Sequence, residues 1–240
     1  MPEPEEATGT AIPPLAALPM AQAEVINLAE VVARRAEKFG VTLDTLNNGI
    51  ATRAREAAES LARADFPPEA QAEAAKKAEV KARAEVVLNS SDTRWEVLRE
   101  MRAAEESLAT TAALFASPQA VLARAGLGTP ERTNYLAQLD GSGMVQLRNM
   151  AALAVATKNK PLGAAVMTLL DRMPPRSRPV SAQDLAERLV GEETRAVQDG
   201  IARVRETVQR AIVANRDFER GRSSPLDKIR LGLNSKKETI

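Results

Sequence analysis

The sequence contains neither cysteine nor histidine. The absence of cysteine excludes disulfides, thiolate metal sites and thiol nucleophiles. The absence of histidine removes the side chain that most often transfers protons near neutral pH, which is also the commonest metal ligand. We therefore expect a protein that is not an enzyme and that binds no cofactor and no metal.

The composition does not exclude catalysis by carboxylates alone, but no pattern in the sequence identifies a catalytic pair of Asp or Glu residues. Glu105-Glu106 and Glu192-Glu193 are adjacent residues in predicted helices, so their side chains point to different sides of the helix. The glycines at 126–128 and 141–143 lack the Lys-Ser/Thr pair that a phosphate-binding loop requires. We interpret them as helix ends.

Aromatic residues are scarce, since the 240 residues include four Phe, one Tyr and one Trp. Alanine supplies much of the hydrophobic content, and a core of Ala, Leu and Val suits closely spaced helices better than strands. This composition predicts an all-α protein, an elongated multi-helix assembly with long N-terminal helices or a hairpin and a compact C-terminal helical bundle. Trp95 and Tyr135 are interpreted as core anchors rather than ligand-stacking residues.

Long apolar runs are also missing, because no stretch approaches the roughly 18 apolar residues of a membrane-spanning helix. The first 19 residues begin with acids and prolines, whereas a secretory signal begins with a basic region. We therefore expect no transmembrane segment and a location in the cytoplasm, or in a virion assembled in the cytoplasm.

Apolar residues spaced three and four apart predict the N-terminal helices. The first helix is expected over residues 21–39, with Gly40 as its end. A second is expected from Asp44 to the Pro67-Pro68 pair, where Pro68 is well placed to begin a third helix over residues 68–89.

A short polar break at residues 89–92 precedes a fourth predicted helix that reaches Phe115. A break this short favours an antiparallel hairpin. Beyond it the predicted helices shorten, and Ser117, Thr129 and Ser181 are predicted N-caps. A short helix to Val190 and a long helix over residues 192–219 complete the prediction.

These elements divide the chain into four predicted regions. They are an N-terminal arm that is flexible or ordered by a partner (1–19), a long-helix region (20–116), a compact helical domain (117–220) and a basic C-terminal tail (221–240).

The last long helix carries a three-heptad seam with an asparagine at an a position. Such a seam serves either packing within the chain or a coiled coil between chains, and both uses stay open. The seam residues are Val197, Ile201, Val204, Val208, Ala211, Asn215 and Phe218.

Charge is unevenly distributed along the chain. Residues 1–120 contain 13 Lys+Arg and 19 Asp+Glu, whereas residues 121–240 contain 20 and 13. The spacing within residues 181–205 also resembles a helix-turn-helix with its turn near Gly191. The candidate contacts to nucleic acid or to an acidic partner are Arg195, Arg203, Arg205, Arg220, Arg222, Lys228, Arg230, Lys236 and Lys237.

The function predicted from these features is that of a non-enzymatic structural or assembly protein in a larger complex, with a phage virion as one such particle. Its partners would be other protein chains, in a homo- or hetero-oligomer. The alternative is a DNA-binding protein that uses residues 181–205 and the basic C-terminal half. A third hypothesis is an amphipathic helical protein that acts on membranes.

Overall fold

A computed structural model describes residues 19–222. Within this range the chain forms α-helices and no strand, which confirms the all-α prediction. The helices are α1 (Gln22–Arg63), α2 (Pro68–Asn89), α3 (Ser91–Ser107), α4 (Ala109–Leu114), α5 (Pro118–Arg124), α6 (Pro130–Leu139), α7 (Met144–Thr157), α8 (Lys160–Asp171) and α9 (Ala182–Glu219), with one 3-10 turn at Pro175–Ser177.

Helix α1 continues through Gly40, so the predicted division into two helices at this glycine is wrong. Phe39 and Leu43, on either side of Gly40, are both buried on the same face of α1. A glycine inside a helix costs only about 1 kcal/mol relative to alanine. Burying two large side chains contributes more than that, and the helix therefore does not end.

Helix α2 begins at Pro68 and ends at Asn89, as predicted. The turn before it places Asp65 in the left-handed region, with φ of 56°. The chain reverses there, and α2 and α3 return along α1. Ion pairs mark this antiparallel register: Arg53 lies 3.3 Å from Glu85 and Arg35 lies 2.6 Å from Glu100.

The hairpin predicted at residues 89–92 is absent. Only Ser90 separates α2 from α3, and its backbone continues the helical hydrogen bonds. The Ser90 N–H donates to the Val86 carbonyl at 3.0 Å, and the Ser90 carbonyl accepts from Arg94 N–H at 3.0 Å. Helices α2 and α3 therefore form one nearly continuous rod, and the hairpin lies between α1 and α2. The predicted fourth helix is interrupted at Leu108 before α4.

Helix α9 runs without interruption from Ala182 to Glu219. The turn predicted near Gly191 is absent, and the helix-turn-helix interpretation of residues 181–205 is wrong. Val190 and Val197 are buried on either side of Gly191. Continuous burial along α9 outweighs the low helix propensity of one glycine.

The predicted N-caps of the C-terminal helices are confirmed. The hydroxyl of Ser117 accepts from Ala120 N–H at 3.2 Å, and the hydroxyl of Ser181 accepts from Asp184 N–H at 3.3 Å. Thr129 accepts in the same way from Arg132 N–H at 3.4 Å. Each cap satisfies a backbone donor that the helix itself leaves without a partner.

Two hydrophobic cores share α9. Its N-terminal residues Leu185, Ala186 and Val190 pack with α5–α8. From Val197 onward it packs instead with α1, α2, α3 and α4, so the second half of α9 belongs to the core of the long helices.

Helices α1 and α9 run in the same direction. Val25 in α1 contacts Gly200 in α9. At the other end, Arg83 donates to the side chain of Asn47 in α1 and to the carbonyl of Phe218 in α9. A β-carbon on Gly200 would lie 2.8 Å from Val25 Cγ1, which shows that this glycine permits the close approach of the two helices.

Two glycines provide a matched test of this packing. Gly40→Ala adds a methyl group that meets no atom within 4 Å, so we expect a gain of about 0.5–1 kcal/mol in the free energy of unfolding. Gly200→Ala makes the same chemical change against the buried Val25, and we expect a loss of about 1–3 kcal/mol. Urea unfolding of both variants measures the two changes. Equal effects of the two substitutions would contradict the helix contact described here.

Candidate functional site

Arg94 is a buried arginine in the core of the long helices, with its side chain only 2% exposed. Its Nε donates to the Ser90 hydroxyl at 3.0 Å and its Nη2 to the Val87 carbonyl at 2.9 Å. Its Nη1 donates to Asn215 Oδ1, and to Glu219 Oε1 at 2.9 Å. A buried charge is tolerated only when it is paired and hydrogen-bonded in this way.

The network extends to the C-terminal end of α9. The guanidinium carbon of Arg94 lies 5.0 Å from the centroid of the Phe218 ring, a cation–π geometry. Asn215 also donates from Nδ2 to Glu219 Oε1 at 3.2 Å. The Arg94 network therefore joins the junction of α2 and α3 to the last turn of α9.

The seven seam residues of α9 are all buried within one chain. Six of them contribute apolar side chains to the core formed with α1, α2, α3 and α4. Asn215 is the polar exception, and its amide accepts a hydrogen bond from Arg94. This face of α9 therefore packs against other helices of the same chain.

Trp95 is 46% exposed, so its interpretation as a core anchor is wrong. The buried positions of α3 are Arg94, Leu98 and Met101, and Trp95 lies about 100° around the helix from Arg94. Tyr135 does pack against the second core, and its hydroxyl accepts from Asn159 Nδ2 at 2.9 Å.

Trp95 belongs to an apolar line on the outer surface of α2 and α3, which we call the outer stripe and define as Val80, Ala84, Leu88 and Trp95. Val80 is 66% exposed and Leu88 is 75% exposed. At 100° per residue the four side chains fall within an arc of about 80°. All four side chains are exposed within the described part of the chain.

Charged residues lie beyond both ends of the outer stripe. Glu73 precedes it, and the pKa of Glu73 is lowered because Lys77 donates a hydrogen bond to its carboxylate. Arg102 follows it and lies 3.6 Å from Glu106. The helical positions of Glu73 and Arg102 fall on the same arc as the stripe.

Five of the arginines proposed as nucleic-acid contacts lie within the described residues. Arg195 lies 2.6 Å from Glu187. Arg203 and Arg205 are exposed on α9, where acidic residues such as Glu206 alternate with them. Arg220 and Arg222 are exposed at the end of α9. The remaining predicted contacts, Lys228, Arg230, Lys236 and Lys237, lie outside the described residues.

Within residues 19–222, no group of three or more acidic residues is arranged to hold a metal ion. No helix in the same range is long and apolar enough to cross a membrane.

Comparisons of the chain with protein-family models, with curated proteins and with solved structures found no match.

Sequence reasoning missed both Arg94 and the outer stripe. A signal for Arg94 was present, since Arg94, Met101 and Leu108 are spaced by seven residues and all three are buried. Hydrophobicity favours tryptophan over arginine for the core, which is why the sequence predicts Trp95 as a core anchor.

Replacement of Arg94 tests the importance of the network. Arg94→Met removes the charge while Asn215 and Glu219 keep polar groups directed at the core, so we expect a loss of about 3–5 kcal/mol in the free energy of unfolding. Arg99→Met is the matched control, because Arg99 is exposed, and should change stability by less than about 0.5 kcal/mol. Urea denaturation measures both. A loss no larger for Arg94→Met than for Arg99→Met would contradict this assignment.

Proposed function

We propose that this chain is a non-enzymatic structural protein that pairs with a second copy of itself through the outer stripe. The observation that carries the proposal is the exposure of Val80, Leu88 and Trp95 at positions that ideal helix geometry places within one arc. Scattered apolar residues on a surface are ordinary, whereas a contiguous apolar patch marks an interaction site. Tryptophan is also among the residues most enriched at the centres of protein interfaces.

The stripe is complementary to itself. A two-fold axis requires the same patch to serve both copies. With that axis beside Leu88 and the two rods antiparallel, Trp95 of one copy lies against Val80 of the other. The same register places Arg102 of one copy opposite Glu73 of the other, so apolar contacts are flanked at both ends by opposite charges.

The size of the patch sets the expected strength of pairing. The rod from Glu73 to Arg102 is about 44 Å long, and a strip about 10 Å wide buries roughly 450 Å² on each copy. Standard stable interfaces bury about 800 Å² per partner, and smaller ones belong to weak complexes. We therefore propose weak pairing that gains strength when many copies assemble.

A large particle such as a phage virion is one setting in which weak contacts between many copies suffice, and this setting remains a prediction. The DNA-binding alternative gains no support from α9, because its arginines alternate with acids and its helix has no turn. The prediction that the chain is not an enzyme rests on its missing histidine and cysteine.

A charge placed in the stripe tests the pairing. We expect Leu88→Asp to keep the chain monomeric over a concentration series in which the unmodified chain forms dimers, because pairing would bury the new carboxylate. Val41→Asp is the matched control, since Val41 on α1 is 61% exposed but lies off the stripe. Sedimentation equilibrium measures the mass. Monomers at all concentrations for the unmodified chain, or equal effects of the two substitutions, would reject the proposal.

Reversal of the end charges tests the antiparallel register. Glu73→Arg and Arg102→Glu, made separately, should each weaken dimerisation, because each places like charges opposite one another. The double variant exchanges the two charges and should restore the original affinity. Failure of the double variant to recover affinity would contradict the register but leave pairing through Leu88 intact.

A further inference from the structure

A groove of about 400 Å³ lies between α7 and the first turns of α9. Its apolar lining includes Ala152, Val155 and Leu185, and its charged lining is Arg148, Arg188 and Asp184. This volume lies within the usual range for sites that bind ligands. The groove belongs to the second core, apart from the outer stripe on α2 and α3.

Helix α7 carries apolar residues on its outward side as well as on its buried side. Leu147, Ala151 and Ala154 are buried against the second core. On the outward side, which also carries Asn149, Val145 is 76% exposed and Leu153 is 46% exposed. Burial of these two side chains favours an occupant of the groove that has apolar residues.

The charged residues that line the groove indicate the charge of the segment that would bind there. Arg188 lies 3.2 Å from Asp184, while Arg148 has no ion-pair partner within residues 19–222. Two arginines against one aspartate leave an excess of positive charge, which favours an acidic occupant.

Two segments of the chain lie outside the described residues, and their charges differ. The N-terminal segment contains Glu3, Glu5 and Glu6, followed by the apolar residues Ile12, Leu15 and Leu18. The C-terminal segment, residues 223–240, contains four basic residues and two acidic ones, which are Lys228, Arg230, Lys236 and Lys237 against Asp227 and Glu238. The acidic N-terminal segment therefore matches the charge of the groove, and the basic C-terminal segment does not.

The positions at which the two segments join the described helices also favour the N-terminal segment as the occupant of the groove. Val25 packs on Gly200, and α9 continues from Gly200 back to Arg188 over about 18 Å. A segment of 18 residues reaches at most about 60 Å, so residues 1–18 can span that distance. The C-terminal segment begins after Arg222, and the adjacent Gly221 packs near Arg83 at the opposite end of the long helices.

We propose that the groove between α7 and α9 binds the acidic and apolar N-terminal segment, residues 3–18, of the same chain. Glu3, Glu5 and Glu6 would pair with Arg148 and Arg188, and Ile12, Leu15 and Leu18 would cover the outward side of α7. A short tether gives an effective concentration in the millimolar range, which favours binding within one chain over binding between chains. This inference is independent of pairing through the outer stripe.

The absence of cysteine makes a direct distance measurement straightforward, because introduced cysteines are the only labelling sites. Thr8→Cys and Asn149→Cys place one spin label in the N-terminal segment and one on the exposed side of α7 beside the groove. In the full-length chain we expect a narrow distance distribution. If the distance distribution is broad, and if reversing the charges of Arg148 and Arg188 does not change it, the proposal is overturned.

Charge reversal supplies the matched comparison. The double variant Arg148→Glu with Arg188→Glu should broaden the distance distribution, because the groove would then repel the acidic segment. Replacing Glu3, Glu5 and Glu6 by Arg in that double variant should narrow the distribution again, because the charges become opposite once more. Arg172→Glu with Arg176→Glu is the control, because both arginines are exposed in the same region but do not line the groove. An equal effect of the control pair would overturn the proposal.

Dilution with an excess of unlabelled chain separates binding within one chain from exchange between chains. The narrow distribution should persist on dilution, since both labels belong to one molecule. Its loss would show that the segment binds a neighbouring copy, which would overturn the proposal as stated. Leu88→Asp should leave the distribution unchanged whether or not the outer stripe pairs.

Discussion

The architecture depends on one buried cation. Arg94 lies in the core of the long helices, where a lone charge would be strongly destabilising. The structure surrounds it with acceptors from two parts of the chain: the Val87 carbonyl and Ser90 hydroxyl at the end of α2, and Asn215 and Glu219 at the end of α9. Because these acceptors are directional, they fix how α9 aligns with the rod of α2 and α3. Apolar contacts between alanine-rich helices alone would define that alignment less sharply.

The same residue determines what α3 presents outside. With Arg94 turned inward, its neighbour Trp95 is turned about 100° away from it and toward the surface. Trp95 is exposed on the same nearly continuous rod as Val80 and Leu88 of α2, because Ser90 keeps the helical hydrogen bonds between α2 and α3. The polar network inside the core and the apolar stripe outside it are therefore two consequences of one helical register.

The sequence predicted those features that local chemistry determines. Pro68 marked the start of α2, and Ser117, Thr129 and Ser181 marked helix caps, because a missing donor or a capping hydroxyl acts within one turn. It failed at Gly40 and Gly191, where a local preference of about 1 kcal/mol is outweighed by burial on both sides. It failed at Trp95 because a buried arginine needs partners from α9 that are more than 100 positions away in the chain. The groove between α7 and α9 likewise depends on tertiary contacts that spacing alone does not reveal.

The proposed pairing of two copies through the outer stripe can be followed with the stripe's own tryptophan. Trp95 is the only tryptophan in the chain, so its fluorescence has no competing source of the same kind. The account predicts that acrylamide quenches Trp95 readily in dilute solution, and that quenching falls over the concentration range in which the mass doubles. Quenching that stays constant while the mass doubles would contradict it, because the copies would then meet through a different surface.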